Sequence, residues 1–200
     1  MTGLADGVRL RSLLPRCLLV LCITAGFSLR PPAAGAQTPS AATTPAAPES
    51  TVKAAYLFRF VSFVDWPAGA FKSRNEPVLI AVAGDEAVFA DLEPLLAGRS
   101  IDGRTLRAVR VTGQTLPEGV HVLFLGANRD LRRDSLATTP GPVLLVTDHP
   151  DALRLGSVIN FSNDGSRVRF SISLAAAELR GLKLSARLLD VAQAVQGAPR

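Results

Sequence analysis

Three uninterrupted apolar runs constrain this chain more than anything else in it. Val78–Ala83 (VLIAVA), Val120–Leu125 (VHVLFL) and residues 143–146 (VLLV) are each bounded by turn-forming residues. A strand with one wet face alternates apolar and polar residues. A run without alternation must be covered on both faces, which is the environment of a parallel sheet between helices. The intervening segments Glu86–Leu96 and 129–136 have helical length and composition. Alternating strand and helix predicts an α/β fold, a single domain with a mixed, mostly parallel sheet flanked by helices. Residues 105–111 do alternate, with Leu106, Ala108 and Val109 among Arg104, Arg107 and Arg110, and belong nearer an edge.

The rest of the folded part follows the same logic. Residues 156–162 and 167–173 flank Asn163-Asp164-Gly165, a turn sequence that predicts a β-hairpin. Residues 174–195 read as mostly helix broken at Gly181, with Leu184, Leu188, Leu189 and Val195 facing inward. Residues 52–65 have helical length, and Trp66-Pro67 ends them because the residue before proline is pushed out of the α region. That helix concentrates Tyr56, Phe58, Phe60, Phe63 and Trp66, in a chain with one Tyr and one Trp. Tyr56, Phe60 and Phe63 share a face with Val52; Leu57, Phe58, Val61 and Val64 point largely elsewhere. A helix apolar nearly all round is covered on more than one side. Its surplus is either buried within the domain or offered to a partner, since aromatic and Arg residues dominate interface hot spots.

The amino-terminal part reads differently. Arg9, Arg11 and Arg16 precede the short apolar stretch 18–23 and the small-x-small sequence Ala34-Gly35-Ala36, the pattern of a cleaved export signal over residues 1–36. Its apolar stretch is shorter than the ~20 residues of a spanning helix. Both cysteines, Cys17 and Cys22, lie inside it, so the exported chain has no thiol. Removing the segment also takes Arg9, Arg11, Arg16, Arg30 and Asp6. That leaves 18 basic and 16 acidic residues, a net charge of +2 instead of +5, which offers no footprint for nucleic acid. Residues 37–50 (QTPSAATTPAAPES) lack the apolar bulk to order themselves and read as a flexible linker before a domain at 51–196.

Catalytic motifs are missing. There is no G-x-S-x-G, Walker loop, G-x-G-x-x-G or metal-spaced cluster, so no cofactor and no enzyme activity are expected. His121 lies inside a buried run and reads as a hydrogen-bonded core histidine. Asp148-His149 follows a strand, where α/β enzymes place catalytic groups, but Pro150 favours a turn. Asp85 reads as a helix cap. Arg129, Arg132 and Arg133 are offset by Asp130 and Asp134, as on a solvated helix face. A ligand pocket at strand ends would draw on Asp85, Asp148 and Arg169.

The phrase K-A-A-Y-L-F-R-F-V-S-F-V-D-W-P, from Lys53 to Pro67, resembles the opening signature of the YfiR family of periplasmic proteins. So, in the family's order, do Gly84-Asp85, Gly103-Arg104, Gly156-Ser157-Val158-Ile159-Asn160-Phe161, Arg169-Phe170-Ser171-Ile172-Ser173-Leu174 and Gly181-Leu182-Lys183-Leu184-Ser185-Ala186-Arg187-Leu188-Leu189. The resemblance spans residues 51–192. It implies a non-enzymatic periplasmic regulator that restrains a membrane-bound diguanylate cyclase by binding its periplasmic portion, lowering cyclic di-GMP and surface attachment. The characterised family type uses cysteines for a redox-linked effect, and this chain departs there. The contact residues expected on these grounds are Tyr56, Phe58, Arg59, Phe63 and Trp66, with Arg180, Lys183 and Arg187, at i, i+3 and i+7, in second rank. A homodimer is a further possible assembly. The alternative reading is a small-molecule sensor with its pocket at Asp85, Asp148 and Arg169; a hydrolase built on Asp148-His149 ranks third.

Overall fold

The computed structural model describes residues 47–130, 134–165 and 167–197. The predicted export signal, linker residues 37–46, and Arg132 and Arg133 lie outside them. Pro48 precedes the first helix, α1 (Glu49–Val61), whose start takes in the last two residues assigned to the linker. Glu49 in the first turn and Arg59 in the last each complement the helix dipole. The helix ends four residues before the expected Asp65. Val64–Asp65 instead form a short strand, β1, which pairs antiparallel with Lys183–Leu184 far along the chain. A β-branched residue with a strand partner leaves the helix here.

The sheet begins with β2 (Val78–Ala83), followed by α2 (Glu86–Leu96), β3 (Ser100–Ile101), β4 (Arg104–Val111), β5 (Val120–Leu125), β6 (Leu144–Thr147), β7 (Ile159–Asn163) and β8 (Val168–Ser173). The chain closes with α3 (Leu174–Leu179), β9 (Lys183–Leu184), α4 (Ala186–Val191) and β10 (Ala194–Gln196). Eight strands lie in the order β10-β8-β7-β6-β5-β2-β4-β3. Only the β7/β8 hairpin and the β3/β4 edge pair run antiparallel, so the domain is α/β with a mixed, mostly parallel sheet, as the apolar runs predicted.

Both faces of the central strands are buried, in two separate cores. On one, Val78, Ile80 and Val82 of β2 meet Leu57, Phe60 and Val61 of α1 and Val88, Leu92 and Leu96 of α2. On the other, Ala81 and Ala83 join Leu123, Leu125 and Leu145, with Leu79 beside them. That second face is covered by loops and short 3-10 turns at Ser135–Thr138 and Ala152–Leu155. The helix expected over 129–136 is therefore not formed in its described part. Arg129 instead pairs with Asp134 and donates to Gly113 O (3.1 Å), which ties the segment down as a loop.

The carboxyl-terminal stretch also departs from the expected broken helix. Gly181 has φ +69°, and Leu182 N–H returns to Ala177 O (2.9 Å), stopping α3 in the left-handed turn that glycine permits. The chain then makes β9, one six-residue helix, and a last strand parallel to β8.

His121 shows why one polar residue sits inside an apolar run. The β2/β5 register skips it: Leu79 opposes Val120, whereas Ile80 opposes Val122. At this bulge the His121 ring accepts Leu79 N–H at Nδ1 (3.3 Å), and its Nε2 lies 3.2 Å from Ala70 O. Burial pushes the imidazole below its ordinary pKa, so the neutral ring with its proton on Nε2 satisfies both neighbours. The histidine is a brace.

Candidate functional site

One large apolar groove opens on the domain, between α1 and α4. It is about 620 Å³ and is lined by Thr51, Val52, Ala55, Tyr56, Arg59 and Phe63 on one side. Arg187, Leu188 and Val191 form the other, over Phe60 and Phe170. Its floor is a cluster of rings. Tyr56 and Phe60 stack at 5.8 Å, Phe170 stands edge-on to both (5.3 and 5.1 Å), and Phe161 lies 5.8 Å beyond Phe60. Edge-to-face packing of this kind fixes ring orientation as well as burying area, so the floor is preformed.

The helical period explains the wall. Thr51, Ala55 and Arg59 step along α1 at intervals of four and share a stripe, which Phe63 continues two residues past the helix end. The neighbouring stripe, Ala54, Leu57 and Val61, is buried against the sheet. The core face is thus turned from the one expected. Leu57 is fully buried, whereas Tyr56 and Phe63 stay half-exposed at the groove. α4 forms the opposite wall because Ser185 N–H donates to Phe63 O (2.9 Å), hanging the helix from the end of α1. Val191 remains 64% exposed there, one of two large apolar residues so exposed among the described residues, with Leu179.

Two cations stand on the rim. Arg59 and Arg187 are both exposed, and neither has an ion-pair partner among the described residues. Of the eight expected contact residues, the fold brings Tyr56, Arg59, Phe63 and Arg187 together at this groove. The others lie elsewhere. Phe58 packs beneath the Arg99 guanidinium (5.0 Å). Trp66 stands edge-on to Phe71 (6.1 Å) and His121 (5.8 Å), in a stack that Arg104 closes 3.8 Å above Phe71. Arg180 is turned inward onto the carbonyls of Thr139 (2.9 Å), Ala137 (3.3 Å) and Val143 (3.4 Å), where burial lowers its pKa. Lys183 is exposed on β9, opposite Asp65. Leu188 faces inward as expected, but Val191 was not singled out from sequence, since an apolar residue on a short helix carries no mark of which side it will face.

The expected ligand trio is not assembled into one pocket. Asp85 accepts Val88 N–H (3.0 Å) as the cap of α2, as predicted, beside a smaller cleft lined by Arg110 and Arg129. Arg169 lies on the hairpin, 3.6 Å from Asp164. Asp148 is held by Lys53 of α1, which also pairs with Glu49 (2.5 Å). Burial would push the Lys53 pKa down, but the two carboxylates outweigh it and the value is raised. His149, the other half of the hydrolase reading, donates its N–H to Asn160 Oδ1 (3.1 Å), and the Thr147 hydroxyl lies 2.7 Å from the same oxygen. The aspartate a catalytic histidine would need is already engaged by a lysine.

Among curated proteins, none matches the chain. A family model does, over residues 50–193, which takes in all but the first residue of α1, every strand of the sheet except β10, the Lys53–Asp148 pair and both walls of the groove. The chain belongs to the YfiR/HmsC-like family.

Proposed function

We propose that the chain is a non-enzymatic periplasmic regulator that holds the outer portion of a membrane diguanylate cyclase in the α1/α4 groove and lowers its output of cyclic di-GMP. The observation that carries this reading is the groove itself: a preformed aromatic floor, an exposed Val191 on one lip and two exposed arginines with no ion-pair partner among the described residues. Aromatic and arginine residues around a desolvated centre are what a protein-binding hot spot is made of. Restraint requires that the groove bind one arrangement of the partner better than another, because equal binding to both shifts nothing. Family membership supports the regulatory theme.

The test is genetic and direct. Deleting the gene raises cellular cyclic di-GMP, and wild-type protein restores the low level. Phe63→Asp and Val191→Asp, which place a charge on the groove's apolar lips, fail to restore it while reaching wild-type abundance. A deletion without effect, or full restoration by both variants, overturns the reading.

The groove volume also falls in the range of ~300–1,000 Å³ typical of small-molecule sites, which keeps a sensor as the second reading. A small apolar metabolite that displaces the cyclase from the purified protein would favour it.

A further inference from the structure

The charges on the groove are not spread evenly, and their placement specifies what the occupant looks like. Arg59 lies in the last turn of α1. Arg187 is in the first turn of α4, two residues after Ser185, whose N–H is fastened to Phe63 O. Both guanidinium groups therefore stand at the end of the groove where α1 finishes. The opposite end, at Ala47, Thr51, Val52 and Val191, has no charged residue in its lining, and the cleft that adjoins it through Ala47, Val52 and Tyr56 carries Glu49 beside Arg167. Between Thr51 and the end of α1 at Val61 the wall runs roughly 15 Å, at 1.5 Å per helical residue, long enough to seat about three turns of another helix. The lining between the ends is apolar apart from the Tyr56 hydroxyl.

We infer that the occupant is an amphipathic helix of the partner, about three turns long, whose apolar stripe fills the groove and whose acidic residues are gathered at the one end that meets Arg59 and Arg187. This rests on the groove being the partner site. Helix-in-groove recognition places the affinity in apolar anchors one turn apart. The arginines add register and polarity: a helix laid in reverse brings its carboxylates to the end that has no arginine in its lining and leaves both guanidiniums unpaired. Arg is suited to this role because its planar fork can hold a carboxylate through two parallel hydrogen bonds. A second copy of this chain does not fit the description as well. Two copies meeting groove to groove about a twofold axis, with the charged ends together, would set four arginines against one another with no carboxylate among the groove-lining residues.

The experiment uses the protein purified from its own cells and three synthetic peptides of about 12 residues. All share one apolar stripe and differ in their last two residues: Glu-Glu, Gln-Gln or Lys-Lys. Binding is followed by calorimetry at low and high salt. The Glu-ended peptide binds at least roughly tenfold more tightly than the Gln-ended one, and the difference shrinks as salt is raised. The double variant Arg59→Glu/Arg187→Glu, both sites being exposed and its fold checked by circular dichroism, reverses the order and prefers the Lys-ended peptide. Equal binding of the Glu- and Gln-ended peptides overturns the inference, as does binding of none of them. Either result leaves the regulatory reading standing if Phe63→Asp still releases cyclic di-GMP, so the two failures are distinguishable.

Discussion

Lys53, on the first helix, forms an ion pair with Asp148, at the end of the sixth strand and 95 residues later in the chain. The lysine is 5% exposed and also reaches Glu49, which in turn accepts from Asn163 Nδ2 (2.8 Å) at the hairpin. One buried cation therefore ties α1 to β6 and, through Glu49, to the β7/β8 turn. That connection sets where the groove wall stands.

Asp148→Asn should cost about 1.5–3 kcal/mol, because Lys53 stays buried and loses one of its two counter-charges. Lys53→Met, which removes the buried charge altogether, should cost less, since an apolar group of similar length needs no partner. Urea denaturation of the two variants checks the order. The pH dependence has a definite sign. The raised Lys53 pKa contributes stability that is full below its ordinary value of 10.5 and is lost as pH climbs through the folded value. Glu49, lowered chiefly by its hydrogen bond to Lys53, contributes stability above its ordinary 4.5 that is lost on acidification. Alkaline melting above pH 10.5 should be steeper in wild type than in Lys53→Met.

His121 should make the domain sensitive to mild acid. Its pKa is lowered by burial, so its contribution is present above its ordinary 6.5 and declines as pH falls through the folded value. Protonation would put the ring's second hydrogen on Nδ1, where it would face Leu79 N–H and abolish that acceptor. Thermal melts of wild type and His121→Gln between pH 7.5 and 5 should show a smaller loss in the variant. Trp66, 5.8 Å away and the only tryptophan, reports the change by fluorescence.

Three positions on α1 should separate by environment. Phe60→Ala, under the ring cluster, should cost ~3–5 kcal/mol, the usual range for a buried aromatic. Phe58→Ala should cost an intermediate ~1–3 kcal/mol, because the ring is half-buried beneath Arg99. Arg59→Ala, exposed, should fall within about 0.5 kcal/mol of wild type. Chemical denaturation of each gives the comparison.

Gly126→Ala should destabilise by about 1–3 kcal/mol or more, through overpacking. A Cβ there would meet Gly84 O at 2.7 Å and Gly84 C at 2.9 Å, both backbone atoms that a rotamer change cannot move. The strand ends of β2 and β5 are joined at this point by Gly126 N–H to Ala83 O (2.8 Å). Equilibrium unfolding of the variant measures the cost.

Export can be read from the product. The protein recovered from cells should begin at Gln37, after Ala34-Gly35-Ala36, as shown by amino-terminal sequencing. Having lost Cys17 and Cys22, it should melt at the same temperature with and without dithiothreitol.

The sheet was legible in the sequence because burial on both faces writes itself into consecutive residues: VLIAVA cannot be anything but covered on two sides. Asp85 as a cap and the Asn163-Asp164-Gly165 turn were legible because each is settled within a few residues, and His121 as a bonded core histidine because it stands inside an apolar run, although its partners Leu79 and Ala70 are far along the chain. What lay beyond the sequence was every decision made between distant segments. Leu57 and Tyr56 are both apolar neighbours on one helix, and which is buried depends on where the sheet and α2 lie against it. Arg180 and Arg187 sit seven residues apart on what read as a single helical face. The left-handed turn at Gly181 and the bond from Ser185 to Phe63 send one inward to three carbonyls and the other to the groove's rim. Periodicity places side chains relative to their own axis. Only packing places that axis, and the groove exists where two axes meet.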